Sequence, residues 1–284
     1  MKPPLVTLRV WGDFACFTRP EMKVERVSYP VITPSAARGV LEAVFWEPQM
    51  YYIIDSIRIV KKGCWISFRR NEVTKVISLD SVKTWMHSPE KTSPIQAGGG
   101  AGDGTQRNML ALQDVEYLIS AEVRVTPLAS RPEDTLEKYL KEIERRASQG
   151  KCFHRPGLGM REFAADFEWE ADADAALARR ATELDQTPEQ FNEDLGLMLY
   201  DVFDHAERAA GFRWLSGAEF SSLHAQDSAV ASRNLKKQTA AAPRWNRAPI
   251  KPAAAFFHAR IDRSCMDCHP DRIQILTSTT RGES

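Results

Sequence analysis

No apolar run in the chain approaches membrane-spanning length, and no export leader opens it: Met1-Lys2-Pro3-Pro4 passes straight into alternating apolar residues. The expectation is a protein of the aqueous phase with no membrane partner. Cysteine is sparse and odd in number, with Cys16, Cys64, Cys152, Cys265 and Cys268 scattered over 284 residues. That fits reduced thiols in the cytoplasm better than a disulfide framework. Net charge is absent as well, 38 Lys and Arg facing 38 Asp and Glu. The charges are unevenly spread, however. Residues 1–161 carry 24 basic against 18 acidic side chains, residues 162–210 carry 3 against 14, and residues 211–284 carry 11 against 6. A basic body with one acidic segment can turn a positive face to a nucleic acid.

Other absences narrow the chemistry. The glycine tract Gly98-Gly99-Gly100, continued by Gly102 and Gly104, lacks the Lys-Ser/Thr ending and the strand-to-helix setting of a phosphate loop. It reads as a flexible excursion from a sheet. Cys265-x-x-Cys268-His269 spells a haem-attachment motif, but that chemistry belongs to exported proteins. A zinc site needs about four ligands, and no second CxxC pair exists, although His258 lies nearby in sequence. Turn residues and a zinc-stabilised hairpin both remain open. The carboxylates Asp13, Glu21, Glu25 and Glu42 stand singly among basic residues without paired spacing, so solvated charges or ion pairs are expected there rather than a metal-dependent nuclease centre.

What the chain does contain is concentrated first in residues 11–46. A strand runs into a loop and then a helix. Thr33 can cap the helix, Pro34 suits its first position, and Ala37, Val40, Leu41, Val44 and Phe45 recur at helical spacing before Pro48. The loop interleaves Phe14, Phe17 and Tyr29 with Arg19, Lys23 and Arg26. Stacking groups alternating with cations suit single-stranded nucleic acid, since each base offers a flat face and each linkage a phosphate. The alternative is a loop whose aromatics enter the core and whose cations are merely solvated.

Strand patterns follow at residues 5–10, 51–60, 115–126 and 162–169, and residues 63–73 could extend the second into a hairpin. Ser130 and Glu133 have capping-box spacing before a helix with Leu136, Tyr139, Leu140, Ile143 and Ala147 on its apolar face. The order strand, helix, strand, strand, helix, strand is the ferredoxin-like pattern shared by RNA-recognition modules. An acidic, alanine-rich helix is expected after Glu170, a strand at 195–203, an irregular insertion at 205–250 and a closing hairpin at 255–261 and 272–276.

The turn after the second helix, residues 150–161, reads GKCFHRPGLGMR. It gathers Lys151, His154, Arg155 and Arg161 in a glycine-rich loop. RNA can be cut without metal when a base takes the 2′-hydroxyl proton and cations stabilise the charged phosphorane. An imidazole suits that proton transfer near neutral pH. The competing reading is a helix-capping loop whose His and Lys answer the helix dipole.

The blocks GDFACFTRPEMKVERVSYPVITPSAARGVLEAVFWEP, RRNEV, GKCFHRPGLGMREF and DLGLMLYDVFD, in that order, resemble the family-five CRISPR-associated proteins of subtype I-C, members of the RAMP superfamily. The resemblance implies an α+β chain: a ferredoxin-like domain over 1–170, with a thumb-like insertion at about 66–113, then a small antiparallel β domain over 171–284. It implies a metal-independent endoribonuclease, without cofactor, that cuts precursor CRISPR RNA within repeats and leaves a 2′,3′-cyclic phosphate. Such a protein stays on the 5′ handle of the mature guide in the Cascade complex, beside a backbone and a large subunit, and meets target DNA through the complex. Some members pair a Tyr at the end of the first helix with adjacent Lys and His after the second. Here those places hold Phe45, Lys151 and Cys152, with the imidazole at His154. Lys151 and His154 are therefore the catalytic candidates, with Tyr29 or Tyr51 as possible contributors. Arg19, Lys23, Arg26, Arg38, Arg69, Arg70, Arg155 and Arg161 are the candidates for gripping RNA. The alternative is a handle-binding subunit that does not cut.

Overall fold

The computed structural model describes residues 3–96, 100, 102–129, 131–202 and 254–277. The expected insertion at 205–250, Ser130, and Gly98 and Gly99 of the glycine tract lie outside them. The described residues divide into two compact units: those within 3–66, 110–202 and 254–277 belong to the first, and those within 67–109 to the second.

The first unit is α+β with an antiparallel sheet. Strands β1 (Leu5–Ala15), β3 (Met50–Lys61), β5 (Gly104–Val125) and β6 (Asp166–Glu170) stand in the order β6-β1-β5-β3. Every neighbouring pair is antiparallel, with registers such as Leu8↔Ile119, Val10↔Phe167 and Ile57↔Ile119. Beyond β3 the sheet continues through β9 (Cys265–Asp267), β8 (Ala255–Asp262) and β10 (Ile275–Thr277), and β7 (Glu193–Asp201) pairs with β8. The short β2 (Arg26–Val27) pairs with β5.

Helix α1 (Pro34–Val44) joins β1 to β3 and α3 (Leu136–Ser148) joins β5 to β6. The Thr33 hydroxyl caps α1 by accepting from the Ala36 N–H at 3.2 Å, and Pro34 follows at a position where a missing N–H costs nothing. For α3 the cap is Thr135, accepting from the Lys138 N–H at 3.3 Å, so the helix starts later than a Ser130–Glu133 box would place it. Glu137 in its first turn and Arg145 and Arg146 in its last suit the helix dipole. Both helices bury apolar stripes in one core: Ala37, Val40, Leu41 and Val44 from α1, Tyr139, Ile143 and Ala147 from α3. Alternation along β5 sends Tyr117 and Ile119 into this core and Leu118 to the other face. There Leu118 and Val60 meet Ala176 and Leu177 of α4 (Ala173–Glu183), the alanine-rich helix, in which Asp174 and Glu183 are balanced by Arg179 and Arg180. Arg180 of α4 reaches Glu116 with Nε at 2.7 Å, and Arg9 of β1 reaches the same carboxylate at 2.7 Å.

In the second unit the outer part of β4 (Cys64–Val73), α2 (Leu79–His87) and a single 3-10 turn (Pro89–Lys91) precede the start of β5. The partner of β4 is β5, not β3, so the hairpin expected at 63–73 does not form with the preceding strand. Helix α2, where no element was expected, is capped by Ser78 and buries none of its side chains.

Candidate RNA-processing site

A cleft of about 700 Å³ opens in the first unit between three segments. Ser35, Ala36 and Gly39 of α1 form one wall, Thr18 follows the end of β1, and His154, Arg155 and Arg161 come from the loop 150–161. Leu199 of β7 lies at the side.

Main-chain contacts seat the loop. The N–H of Phe153 donates to the Ala43 carbonyl at 2.9 Å, and the N–H of His154 donates to the same oxygen at 3.2 Å. These bonds satisfy carbonyls that the end of α1 would leave unpaired. The Cys16 N–H donates to the Leu158 carbonyl at 3.0 Å, and Leu158 itself is fully buried. Gly159 has φ +83°, and a Cβ there would stand 2.2 Å from the Cys16 carbonyl oxygen, so only glycine fits. The glycines thus serve close packing of the loop on β1. Lys151, His154, Arg155 and Arg161 all remain exposed. His154, Arg155 and Arg161 line the cleft; Lys151, at the head of the loop, does not. Arg155 is paired with Asp166 at 2.9 Å, with 66% and 59% of the two side chains exposed. An ion pair so exposed is worth about 0–1 kcal/mol, so a phosphate can displace the carboxylate readily.

The interleaved aromatics of the preceding loop do not form a stacking platform. Phe17 is 3% exposed and Tyr29 2%, both in the core, because the end of β1 and the segment before α1 fold back on each other. Phe17 and Tyr29 are joined by a main-chain bond from the Tyr29 N–H to the Phe17 carbonyl at 2.8 Å. Phe14 packs on Phe163 with ring centres 5.8 Å apart. Burial raises the Tyr29 phenol above its ordinary value, and its oxygen accepts from the Leu199 N–H at 3.2 Å. Tyr51 is 4% exposed. Neither tyrosine is placed for proton transfer to an outside substrate. Phe45 is also buried, its ring under the Arg146 guanidinium at 5.3 Å.

The remaining cations differ in their surroundings. Arg19 lies over the Tyr29 ring at 4.7 Å, Lys23 is exposed, and Arg26 Nη1 approaches Met160 Sδ at 3.4 Å. Arg38 is committed to the fold: Glu42 lies 2.5 Å away and Asp201 3.2 Å, and only 12% of its side chain is exposed. Burial alone would lower its pKa, but the two carboxylates outweigh that and raise it. Arg69 and Arg70 lie on β4 in the second unit, Arg69 exposed and Arg70 paired with Glu72. His269 is buried and meets Glu122 at 3.3 Å, while Cys268 is fully buried. Among the described residues no three His, Cys, Asp or Glu side chains converge as metal ligands do.

Sequence reasoning missed Thr18, Ser35 and Gly39 as parts of the site. For Gly39 a signal was available: a glycine at the sixth of eleven helical positions has no role in starting or ending the helix.

The chain matches the Cas5d model of CRISPR-associated proteins over residues 5–240. A protein of Mannheimia succiniciproducens described as CRISPR pre-crRNA endoribonuclease Cas5d is 42% identical over 209 residues, covering 73% of this chain and 89% of that one. One of Thermus thermophilus with the same description is 39% identical over 195 residues, covering 69% and 72%. A crystal structure described as a CRISPR-associated protein superposes with a TM-score of 0.52 at 15% identity, over 93% of this chain and 91% of that one. A functionally uncharacterized protein of Streptococcus mutans also gives a TM-score of 0.52 at 15% identity, over 97% and 98%. These two likenesses show the fold, an α+β chain with a mainly antiparallel sheet. With a family match spanning most of its length and two such relatives, the chain belongs to the Cas5d family of CRISPR-associated proteins.

Proposed function

We propose that this protein is an endoribonuclease that cuts precursor CRISPR RNA within its repeats without a metal and stays on the 5′ handle as a subunit of the type I-C Cascade complex. The observation that carries this reading is the 42% identity to a protein described as a CRISPR pre-crRNA endoribonuclease. The cleft adds an imidazole and two guanidiniums on a loop held by its main chain. His154 takes the proton of the 2′-hydroxyl, whose oxygen attacks the adjacent phosphorus. Arg155 and Arg161 hold the phosphate and the charge that grows on it. The bond to the 5′-oxygen breaks, that oxygen leaves with a proton from solvent, and the product is a 2′,3′-cyclic phosphate; Lys151, outside the cleft lining, is not assigned that proton.

The strand order β6-β1-β5-β3, with α1 and α3 as the two crossings, supports a ferredoxin-like body at about 1–170. In the same reading 66–113 is a thumb-like insertion and 171–284 a C-terminal β portion. The partners are repeat RNA and then the mature handle, the backbone and large subunits of the complex in the cytoplasm, and target DNA through that complex. Arg19, Lys23, Arg26 and Arg69 extend the grip on RNA. Arg38 is set aside because its charge is matched inside the fold.

His154→Ala slows cleavage of a labelled repeat hairpin at least about tenfold, as loss of a general acid–base group does, while RNA affinity stays within about twofold. Equal cleavage rates for variant and parent would reject the role of His154. A second reading, a handle-binding subunit that does not cut, is favoured by one observation: Phe45, without a proton to exchange, is buried where some members of the family carry Tyr. Incubation of the purified chain with repeat RNA in EDTA separates the two readings, and intact RNA supports the second.

A further inference from the structure

Gly39 occupies the middle of α1, whose eleven residues are otherwise well suited to a helix. An interior glycine costs a helix about 1 kcal/mol relative to alanine, so the fold should have a reason to keep it, and the described residues supply none. Its φ is not positive, and a Cβ built there would meet nothing within 4 Å. It is exposed, and it neither ends the helix nor lets a neighbouring element approach. What it does is line the cleft. Ser35, Ala36 and Gly39 fall on one helical face opposite the loop that carries His154, Arg155 and Arg161. The missing side chain leaves bare helix backbone as the wall facing an imidazole and two guanidiniums.

We propose that Gly39 is a substrate-positioning residue: the ribose–phosphate backbone of one RNA strand lies directly on the main chain of α1 at Gly39, pressed there by Arg155 and Arg161 from the opposite wall. The inference rests on the RNA-processing reading above and adds to it the place and direction of the strand. The phosphates face the guanidiniums, the sugar edge faces Gly39, and a side chain at position 39 occupies the volume of the sugar. The ligand class is single-stranded RNA backbone, whose sugar edge is open to contact.

The test uses the full chain with Gly39→Ala and Gly39→Leu, read by thermal melting, by affinity for a labelled cognate repeat at several salt concentrations, and by single-turnover cleavage. Both variants should melt at or above the parent temperature, Gly39→Ala by about 2–4 °C, because the substitution favours the helix and clashes with nothing in the fold. Affinity should fall about threefold for Gly39→Ala and at least tenfold for Gly39→Leu, with cleavage falling further. The dependence of affinity on salt should keep its slope, since no phosphate-pairing cation is removed. Arg161→Ala, by contrast, should flatten that slope by about 0.7. Variants that melt higher yet bind and cut like the parent overturn the proposal and leave the RNA-processing reading intact. A parent chain that fails to bind the repeat overturns both. Gly39→Leu melting well below the parent would show that the position serves the fold, and would overturn the proposal as well.

Discussion

At the scale of single residues, the loop 150–161 divides into positions that hold it and positions that face outward. Gly159 belongs to the first kind. Its left-handed backbone and the nearby Cys16 carbonyl oxygen leave no space for a methyl group. Gly159→Ala should therefore cost at least about 2 kcal/mol of stability, measured as a shift of the urea midpoint. Cleavage should be lost as well, because His154 lies on the same loop. An unchanged midpoint would show that the loop is seated by other contacts. Much of this residue-level picture could be read from the chain itself. Thr33 and Pro34 announce α1 because capping is a local matter of a few adjacent atoms. The direction of Phe17 and Tyr29 could not be read, since an aromatic ring beside a cation fits a core or a binding surface equally well until the chain has closed around it. Arg38 was obscured for a related reason: one of its carboxylates, Asp201, lies 163 residues away.

At the scale of elements, α4 is fastened to the sheet by charge as well as by Ala176 and Leu177. Burial pushes the Glu116 carboxyl up, but hydrogen bonds from Arg180 and Arg9 outweigh it, and the group stays below its ordinary value of 4.5. A carboxylate depressed in the folded state contributes stability in full above that value and loses it as the pH falls through the folded pKa. Glu116→Gln should therefore lower the unfolding midpoint at neutral pH and converge on the parent as the pH falls below 4.5 and through the depressed folded value. Curves that run parallel across that range would remove Glu116 from the account. Element order was legible where each strand alternates or each helix carries an apolar stripe. It failed for α2, which has no buried side to produce one. It failed again at β4, whose partner β5 begins 31 residues after β4 ends, beyond the reach of any local pattern.

At the scale of the whole molecule, the formal charge of zero conceals an uneven spread of charge along the chain. Within the first unit, Arg155 and Arg161 of the loop 150–161 line the cleft, while the excess of carboxylates lies later in the chain, in residues 162–210. RNA approaching the cleft side meets a positive surface although the molecule as a whole is neutral. Affinity for the repeat should accordingly weaken steeply with salt. Each phosphate contact should add about −0.7 to the slope of log K against log salt for a single strand, and a slope near zero between about 50 and 200 mM would contradict an electrostatic grip.

The loop 150–161 is tied down by the carbonyls of α1 and by the amide of Cys16, not by the side chains it displays. A platform of that kind tolerates exchange of its tools. A proton-carrying group can move from one outward position to the next by point mutation while the mounting stays in register. In the proposed reading, the imidazole of His154, three places after Lys151, is one setting of such a mount.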